Sequence, residues 1–494
     1  MPEIDYEKLK FKSGLEIHQQ LDSSKLFCDC PSVLRNDEPD FEVKRKLHAV
    51  AGESGEIDIA AAHQAELDKE FIYQGYNENT CLVELDEEPP HEINKEALKI
   101  AIQIALLMNM KIIPITQIMR KTVIDGSNTS GFQRTVLIAM KGYIETSKGK
   151  VGIESLLLEE DAARIVNREK NKEIYRLDRL GIPLVEVVTA PDIKDAEHAK
   201  EVALQIGDIL RSCKVKRGIG TIRQDVNISI RGENRVEIKG MQNMSIFVKA
   251  IENEVERQKK LSDVKKSTKM EVRNVLPDAS SKFMRPLPGS ARMYPETDLP
   301  ILKIHRNIIN EAKRDIPKLK KDVEKDLDKM GLNKDMIRLL FKRDQRSLIS
   351  SSSNKSKLKQ NKLEEFKALL KIINKPVLIA KVLLMYPREI ASREKKSLEE
   401  VEKILDVHFD SILLDVKKGK ISEGHVKHIL EKLVKGEKFE APVKDISGIE
   451  EKIIKIIKDK PGLSDKAYMG LVMKEFGGKI GGREAMEIIQ KHLK

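Results

Sequence analysis

The chain contains no tryptophan, and aromatic residues of all kinds make up 4% of its 494 residues. It has four cysteines, too few for the disulfide-rich class of small secreted domains. No stretch approaches the roughly 18 consecutive apolar residues that a membrane-spanning helix requires. Residues 1–14 are charged and lack the apolar segment of a secretory signal peptide. These absences predict a protein of the reducing cytoplasm.

Charge, in contrast, is abundant. Charged residues form 34% of the chain, and the formal net charge is +11. This excess of lysine and arginine favours a polyanionic partner such as a nucleic acid, although lysine-rich proteins without such a partner also exist. The length predicts roughly three domains, each with enough apolar residues for its own core.

The segment that organises the interpretation is residues 14–21, in which polar and apolar residues alternate. On a β-strand, successive side chains point to opposite faces, so Glu16 and His18 share one face and Leu15 and Ile17 the other. A carboxylate and an imidazole on one face suit a metal or phosphate site. A half-buried strand with a solvated polar face has the same pattern.

A second polar face is predicted for residues 221–240, which read as two alternating strands joined by a turn at 231–234. The side chains that share this face are Arg223, Asp225, Asn227 and Ser229 on the first strand and Arg235, Glu237 and Lys239 on the second. Carboxylates bind Mg²⁺, and lysine and arginine bind phosphate. The hairpin therefore fits a nucleotide site, although an ordinary surface sheet has a similar composition.

Two further segments are candidates for the same chemistry. Three consecutive acids, Glu159, Glu160 and Asp161, follow an apolar run, and strand alternation allows at most one or two of them to share a site. Residues 120–135 place glycine, serine and threonine between basic residues, which suits close approach to phosphates through backbone N–H groups. This segment lacks the order of a Walker loop, and such clusters are more commonly turns.

A zinc site is incomplete in the sequence. Three cysteines approach a zinc-binding pattern: Cys28, Cys30 and Cys81. A structural zinc ion takes four ligands, but Cys213 falls within a helical pattern, and His63 and His91 have no supporting context. We therefore expect no structural zinc.

Helical patterns become dominant after Ile304. Before that point, Asn94 is predicted to cap a helix over 95–110, and 196–211 reads as another helix. Later signals are a helix over 317–330, a cap at Asn333, a helix that starts at Pro376 and is closed by Pro387, and a capping box at Ser397.

The last part of the chain is also helical in pattern. Residues 350–353 begin a polar, low-complexity loop, 437–443 read as a linker, and 447–494 read as three short helices. The glycine-rich run 477–483 between the last two helices can follow an RNA backbone, but a flexible turn is its more common meaning.

Taken in order, these segments resemble a known family. The motifs are Gly-Leu-Glu-Ile-His at 14–18, Leu-Glu-Glu-Asp-Ala at 158–162, Leu-Asp-Arg-Leu-Gly-Ile-Pro-Leu-Val-Glu-Val at 177–187, Arg-x-Asp-x-Asn-x-Ser at 223–229 and Glu-x-Lys-x-x-x-Asn at 237–243. The set resembles the kinase-type subunits of the tRNA-dependent amidotransferases. Three further stretches, at 28–32, 85–90 and 285–298, are more similar to the archaeal E-type form of this subunit than to the bacterial and organellar B-type form. The likeness is strongest over residues 14–300.

The resemblance implies a fold and an organisation. The expected fold class is a cradle-shaped mixed α/β catalytic domain at 1–302, followed by an all-helical domain at 303–440 and a small helical tail at 445–494 that reaches tRNA. It also implies a cytoplasmic hetero-oligomer with a glutaminase partner of the D type, which is similar to asparaginases and supplies ammonia.

The implied activity is ATP-dependent. The protein phosphorylates the side-chain carboxylate of glutamate on misacylated Glu-tRNA(Gln), and ammonia then displaces phosphate to give Gln-tRNA(Gln). A catalytically inactive tRNA-binding scaffold is the alternative. The residues that the family match assigns to catalysis and Mg²⁺ are Glu16, His18, Glu160, Asp225 and Glu237, and those assigned to ATP are Lys121, Ser130, Arg134, Lys239 and Asn243. Glu159 or Asp161 can replace Glu160 in this scheme, and His18 can act beside Mg²⁺ rather than on it, since histidine is an uncommon ligand of that ion.

The chain departs from the family at one place. The archaeal E-type proteins carry an inserted domain, similar to part of an aspartyl-tRNA synthetase, before the motif at 285–298. Here residues 271–278 run almost directly into Arg285, so we expect the insert to be absent. Any tRNA selectivity that depends on the insert must then come from the helical and tail domains.

Overall fold

The computed structural model describes residues 4–48, 55–57, 62, 65–66, 68–169, 171–264, 266–287, 293–341, 362–437, 447–476 and 482–493. The chain divides into two compact units, Met1–Lys320 and Lys321–Lys494.

The strands, in chain order, are β1 (Lys12–Gln20), β2 (Phe41–Arg45), β3 (Glu70–Gly75), β4 (Lys111–Ile112), β5 (Ile115–Thr116), β6 (Ile118–Thr122), β7 (Phe132–Thr146), β8 (Gly149–Glu160), β9 (Arg164–Arg168), β10 (Lys172–Arg176), β11 (Pro183–Thr189), β12 (Ile222–Ser229), β13 (Val236–Lys239), β14 (Glu271–Val275), β15 (Ser281–Pro286), β16 (Met293–Pro295) and β17 (Leu302–Lys303). The α-helices are α1 (Lys95–Leu107), α2 (Ala196–Ser212), α3 (Phe247–Asp263), α4 (Arg306–Arg314), α5 (Lys320–Lys329), α6 (Lys334–Phe341), α7 (Lys362–Ile372), α8 (Pro376–Ala380), α9 (Tyr386–Glu394), α10 (Leu398–Leu405), α11 (Phe409–Lys417), α12 (Val426–Val434), α13 (Ser447–Asp459), α14 (Asp465–Phe476) and α15 (Gly482–Leu493).

The first unit is built on a mixed sheet. Its described residues form eleven strands in the order β15-β14-β13-β12-β1-β11-β8-β7-β6-β16, with β4 paired to β7. All neighbours are antiparallel except β13 and β14, which are parallel. Helices α1, α2 and α3 contribute buried residues to the same hydrophobic core as the sheet. A four-stranded sheet, β2-β3-β10-β9, and the pair β17-β5 complete the strands of this unit.

Strand β1 lies in the middle of the large sheet, between β11 and β12. Leu15 and Ile17 are 1% and 0% exposed and belong to the core. Glu16 and His18 alternate with them and are partly exposed. The alternation read from the sequence is therefore confirmed, with one face of the strand buried under helices and the other polar.

Most local predictions around this strand are confirmed. Helix α1 begins directly after Asn94, whose side-chain oxygen accepts a hydrogen bond from the Ala97 N–H at 2.9 Å. Strands β12 and β13 pair antiparallel, as the predicted hairpin requires. The predicted helix over 196–211 is α2. Arg235 lies one residue before β13 rather than on it.

The segment 120–135 differs from its prediction as a phosphate-binding loop. Lys121 lies on β6 and Arg134 on β7, so the basic residues at both ends are strand residues. The hairpin of β7 and β8 was also not predicted. Its apolar residues do not alternate cleanly, because the register shifts between Leu137 and Ala139.

Strands β14 and β15 follow each other directly, with no inserted domain among the described residues between them. These two strands pair antiparallel, with Val275 opposite Ser281, and residues 276–280 make the turn. The Leu276 N–H donates to the Ser280 carbonyl at 2.8 Å. Ala279 has φ 68°, a left-handed conformation.

The first unit extends beyond strand β17. The Ala312 side chain of α4 is buried in the same core as the large sheet. Asp315 follows α4, and its carboxylate pairs with Lys99 while its carbonyl accepts a hydrogen bond from Gln103. These contacts hold the start of the helical part of the sequence against α1.

The regular elements among the described residues of the second unit are all helices, which form two separate cores. The cap at Asn333 and the capping box at Ser397 are both present. Pro387 does not close a helix: a π-helical turn, Lys381–Met385, joins α8 directly to α9, and Pro387 lies in the first turn of α9. The predicted three tail helices are α13, α14 and α15. The loop predicted from 350–353, all of the predicted linker except residue 437, and residues 477–481 of the glycine-rich run lie outside the described residues. Among the described helices, none combines the length and apolarity needed to cross a membrane.

Candidate cation and phosphate site

Three carboxylates and a lysine gather on the polar face of the large sheet, and we name them the first cluster: Glu16, Asp225, Glu237 and Lys239. The sheet register produces this group, because Glu16 of β1 lies opposite Asp225 of β12. Lys239 Nζ lies 2.6 Å from Asp225 Oδ2 and 2.7 Å from Glu237 Oε1. One ammonium group therefore neutralises part of the charge of two carboxylates.

A similar group, which we name the second cluster, lies on the other side of β1 in the sheet. It consists of Lys121, Glu159 and Glu186. Lys121 Nζ lies 2.6 Å from Glu159 Oε1 and 3.4 Å from Glu186 Oε2. The Thr135 hydroxyl also donates to Glu159 Oε1, at 2.7 Å. Three strands, β6, β8 and β11, supply the three members.

His18 connects the two clusters. It lies opposite Glu186 in the sheet register, and its Nε2 is 3.1 Å from Glu186 Oε2 and 3.7 Å from Glu16 Oε1. Ligand atoms of Glu16, His18 and Asp225 all lie within 4.8 Å of one another, and so do those of His18, Glu159 and Glu186. Both sets of three have the spacing of a metal-ligand group.

Burial and mutual repulsion shift the ionisation of these groups. The pKa of Glu16 is raised to about 7 because of its burial and the nearby charges of Glu186 and Glu237, which outweigh the opposing effects of His18 and Lys239. Burial lowers the pKa of His18, but the hydrogen bond and charge of Glu186 overcome this, and the net shift is upward. The pKa of Lys239 is raised, since Asp225 and Glu237 overcome the cost of its burial.

The charge balance of the face favours a cation. Five carboxylates face two ammonium groups and one imidazole, so negative charge exceeds positive charge whichever form His18 takes. Burial of excess carboxylate charge is unfavourable unless a cation compensates it. Oxygen ligands from carboxylates, together with lysine beside them, suit a hard divalent ion and a phosphate group.

The structure places Glu160 and Arg134 away from both clusters, which corrects their predicted roles. Arg134 Nη1 lies 3.4 Å from Glu160 Oε1, and Arg134 Nε lies 2.8 Å from Glu296 Oε2. Both ion pairs are buried. Adjacent residues of a strand face opposite ways, so Glu159 joins the second cluster and Glu160 cannot. Arg134 is thereby engaged by two carboxylates rather than available to a nucleotide.

This buried ion pair predicts a stability effect. Glu160→Gln leaves the Arg134 guanidinium, which is 4% exposed, with one charged partner instead of two. Removing one partner of a buried pair costs about 3–5 kcal/mol when the other charge is left uncompensated, but Arg134 keeps the Glu296 carboxylate 2.8 Å from its Nε. We therefore expect the free energy of unfolding of the first unit to fall by about 1–3 kcal/mol, the cost of leaving buried hydrogen-bonding groups without a partner, measured by urea denaturation. Glu154→Gln, at an exposed position of the same strand, should change it by less than about 0.5 kcal/mol. Equal stability of the two variants would contradict the assignment of Glu160 to a buried ion pair with Arg134.

Asp161, the third of the three consecutive acids, is held by other partners. Asp161 Oδ1 lies 2.6 Å from Arg223 Nη2, and its Oδ2 accepts a hydrogen bond from Gln20 at 2.6 Å. Although burial acts to raise it, the pKa of Asp161 is lowered by Arg223 and Arg179. Asp161 therefore positions Arg223, which neighbours His18 in the register.

Of the other residues predicted to contact ATP, two lie in the clusters and two lie elsewhere. Lys121 and Lys239 belong to the clusters. Ser130 donates to the Phe132 carbonyl at 3.0 Å, and Asn243 accepts from the Ser245 N–H at 3.0 Å. Both are thus bonded within their own turns.

The site assignment from the sequence missed Glu186. Its signal was present, since Glu186 is the one charged residue among the apolar residues of β11. An acid at the centre of a buried strand is costly unless it has partners, and here Lys121 and His18 are those partners.

Comparisons with known proteins show the family of the chain. Residues 11–310 match the family described as the GatB/GatE catalytic domain. Proteins named as the E subunit of glutamyl-tRNA(Gln) amidotransferase are similar over the whole chain: that of Methanocaldococcus jannaschii is 36% identical over 649 aligned residues covering 100% of both chains, and that of Methanosarcina barkeri is 33% identical over 650 aligned residues covering 100% of this chain and 99% of the relative.

A third relative of the same name shows a difference in length. The Methanococcus maripaludis C5 protein is 47% identical over 340 residues, which cover 68% of this chain and 48% of that protein. The alignments to the first two relatives are also longer than the 494 residues of this chain, so those relatives contain residues without a counterpart here. With a family match over more than half of its length, the chain belongs to the GatB/GatE catalytic domain family.

Proposed function

We propose that this chain is the activating subunit of a glutamyl-tRNA(Gln) amidotransferase, a ligase that converts Glu-tRNA(Gln) to Gln-tRNA(Gln) at the expense of ATP. The observation that carries the proposal is the pair of carboxylate clusters joined by His18 on one face of the large sheet. A glutaminase similar to asparaginases supplies the ammonia, and the two chains form a cytoplasmic hetero-oligomer.

The donor set fits Mg²⁺ and ATP. Glu16 and Asp225 on one side and Glu159 and Glu186 on the other would hold Mg²⁺, directly or through water, and His18 would orient Glu186. Bound Mg²⁺ would neutralise phosphate charge and help to align the phosphoryl group for transfer.

The two lysines have a separate role. Lys121 and Lys239 are 16% and 28% exposed and stand on the same face as the carboxylates. Each ammonium group would contact phosphate oxygens as a point charge. Glu237 and Glu159 hold these lysines in place until the phosphates arrive, because each carboxylate lies within 2.7 Å of its lysine.

The reaction requires activation because a carboxylate is a poor electrophile. The γ-phosphoryl group is transferred to a carboxylate oxygen of the glutamyl side chain, which gives an acyl phosphate. The phosphate of this acyl phosphate is a good leaving group. Ammonia then attacks the carbonyl carbon and phosphate departs, forming the amide. Phosphoryl transfer depends mainly on alignment and charge neutralisation, and the two clusters are suited to both tasks.

We assign the domains as follows. Residues 1–320, the first unit, form the catalytic cradle, residues 321–440 the helical domain, and residues 445–494 a tail that binds tRNA. Without the insert, selectivity for Glu-tRNA(Gln) rests on the last two. The charge of +11 suits such a partner.

The test is an amidation assay with the full chain, Glu-tRNA(Gln), ATP, Mg²⁺ and ammonium chloride in place of the glutaminase. We expect Gln-tRNA(Gln) to form and ATP hydrolysis to rise when Glu-tRNA(Gln) is added. If the chain binds the tRNA but forms no Gln-tRNA(Gln), and ATP hydrolysis does not rise, it is a scaffold rather than an enzyme.

The tail assignment makes its own prediction. A chain ending at Val443 should bind tRNA more weakly, and the slope of log affinity against log salt should fall by about 0.7–0.9 for each phosphate that the tail neutralises. Fluorescence anisotropy across a salt series measures both quantities. Because the tail helices have their own core, thermal unfolding of the first unit should not change, which serves as the control. Unaltered affinity and slope would show that the tail does not bind tRNA.

A further inference from the structure

An arginine lies beside the two clusters, at one end of the polar face. Arg223 of β12 lies opposite His18 of β1 in the sheet register, so its side chain belongs to the same face as His18 and Asp225. Residues that lie opposite each other on antiparallel strands have Cα atoms about 4.5–5.5 Å apart. The Arg223 side chain is 33% exposed. Its guanidinium group is therefore next to the cation clusters and accessible to solvent.

Asp161 holds one edge of this guanidinium group. The Asp161 side chain is 1% exposed, and its Oδ1 lies 2.6 Å from Arg223 Nη2. Two further donors fix the carboxylate, since the Gln20 amide donates to Oδ2 at 2.6 Å and the Ala162 N–H donates to Oδ1 at 2.8 Å. A buried carboxylate with these partners keeps one orientation, and it therefore holds Arg223 in one orientation as well.

The rest of the guanidinium group is open to a ligand. Within the described part of the chain, Arg223 donates no other side-chain hydrogen bond than the one to Asp161. A guanidinium group carries several N–H donors in a planar fork. Such a fork can contact both oxygens of a carboxylate at once. Arg223 thus presents a fixed edge that suits a bidentate contact with an anion.

The charge at this end of the face is positive, in contrast to that of the clusters. Arg179 is a second guanidinium beside Asp161, with its Nε 3.9 Å from Asp161 Oδ2. It donates to the carbonyls of Ala162 and Ala163. Burial lowers the pKa of Arg179, and the charge of Arg223 adds to this shift, although Asp161 opposes it. Two guanidinium groups thus share one carboxylate, and the excess positive charge favours an anion.

We propose that Arg223, oriented by Asp161, binds the side-chain carboxylate of the glutamyl group on tRNA. The inference rests on the proposed function and identifies the residue that recognises the acidic side chain of the substrate. That carboxylate has to lie next to the γ-phosphate in order to attack it, but the carboxylates of the clusters repel a further negative charge. A guanidinium group beside His18 offsets the repulsion. An oxygen that accepts one hydrogen bond keeps a lone pair for attack on phosphorus.

The position of Arg223 favours a carboxylate over a phosphate. The phosphates of ATP have two ammonium groups within the clusters, those of Lys121 and Lys239. Arg223 lies outside both clusters, and the excess of one positive charge there matches the single charge of a carboxylate. Asp161 is a positioning residue in this scheme, because it acts on the substrate only through Arg223.

The test compares binding of Glu-tRNA(Gln) with binding of Gln-tRNA(Gln), in which a neutral amide replaces the carboxylate. Fluorescence anisotropy measures both affinities for the full chain with Mg²⁺ and a non-hydrolysable ATP analogue. We expect the wild type to prefer Glu-tRNA(Gln) by about 10-fold or more, since hydrogen bonds to charged groups contribute this much. Arg223→Gln should bind the two tRNAs equally, with unchanged affinity for Gln-tRNA(Gln) and for the ATP analogue. Arg211→Gln, at an exposed arginine of α2, is the matched control and should keep the preference.

Asp161→Asn should reduce the preference in the same direction while its affinity for Gln-tRNA(Gln) stays the same, which a general loss of structure would not produce. An undiminished preference in Arg223→Gln, or no preference in the wild type, would overturn the proposal. An equal loss of affinity for both tRNAs, or a loss of affinity for the ATP analogue, would assign Arg223 to a phosphate and would also overturn it. A wild type that shows the preference but forms no Gln-tRNA(Gln) would contradict the proposed function and still support recognition of the carboxylate by Arg223.

Discussion

Asp225→Asn should lower ATP-dependent amidation of Glu-tRNA(Gln) by at least about 100-fold, since even groups that only orient a metal ligand cost 10–100-fold when they are removed. The asparagine keeps the size of the side chain but loses the charge that pairs with Lys239 and faces Glu16. With one carboxylate fewer, the first cluster holds a divalent cation less strongly. Affinity for tRNA should stay nearly unchanged, because Asp225 is 5% exposed and lies within the sheet.

The matched control is Asp208→Asn on the exposed side of α2, where the carboxylate pairs with Arg211 at the surface. Exposed pairs of this kind contribute about 0–1 kcal/mol, so turnover should match that of the wild type. Raising the Mg²⁺ concentration should recover part of the lost activity in Asp225→Asn. Wild-type turnover in Asp225→Asn would remove the first cluster from the mechanism.

Glu159→Gln should reduce amidation by about 100-fold, in contrast to its neighbour Glu160. Loss of the Glu159 charge releases Lys121 from its 2.6 Å ion pair and removes one of the carboxylates of the second cluster. Amidation is measured at saturating tRNA, and folding is checked by circular dichroism. Glu154→Gln in the same strand controls for the loss of a charge from β8.

The comparison of the two adjacent acids is the decisive part of this experiment. Glu160→Gln should lower stability but keep most of the activity of the folded fraction, because Glu160 contacts Arg134 and not the clusters. The opposite result, with activity lost in Glu160→Gln and kept in Glu159→Gln, would reverse the assignment of faces.

The sequence predicted elements with a strong periodic signal. The alternation at Glu16 and His18 and at Asp225 and Glu237 was sufficient to predict which residues share a face, because side-chain direction on a strand depends only on position. Capping residues such as Asn94 predicted helix starts for a similar local reason. The family resemblance then predicted a mixed α/β domain for this part of the chain.

What the sequence could not predict was register between distant strands. Three consecutive acids left the choice among Glu159, Glu160 and Asp161 open, and the pairing of β8 with β7 and β11 decided it. Arg134 was predicted to contact ATP because it is basic and close to a glycine-rich turn, but its burial depends on Glu296, far along the chain.

The central claim is that both clusters face one space that binds a divalent cation and the phosphates of ATP. Its most direct test is a crystal of the full chain grown with Mn²⁺ and a non-hydrolysable ATP analogue, with anomalous diffraction measured at the manganese edge. The account predicts an anomalous peak within bonding distance of carboxylates from at least one cluster, with the analogue's phosphates beside Lys121 or Lys239. A nucleotide and ion bound away from Glu16, Asp225, Glu159 and Glu186 would contradict it.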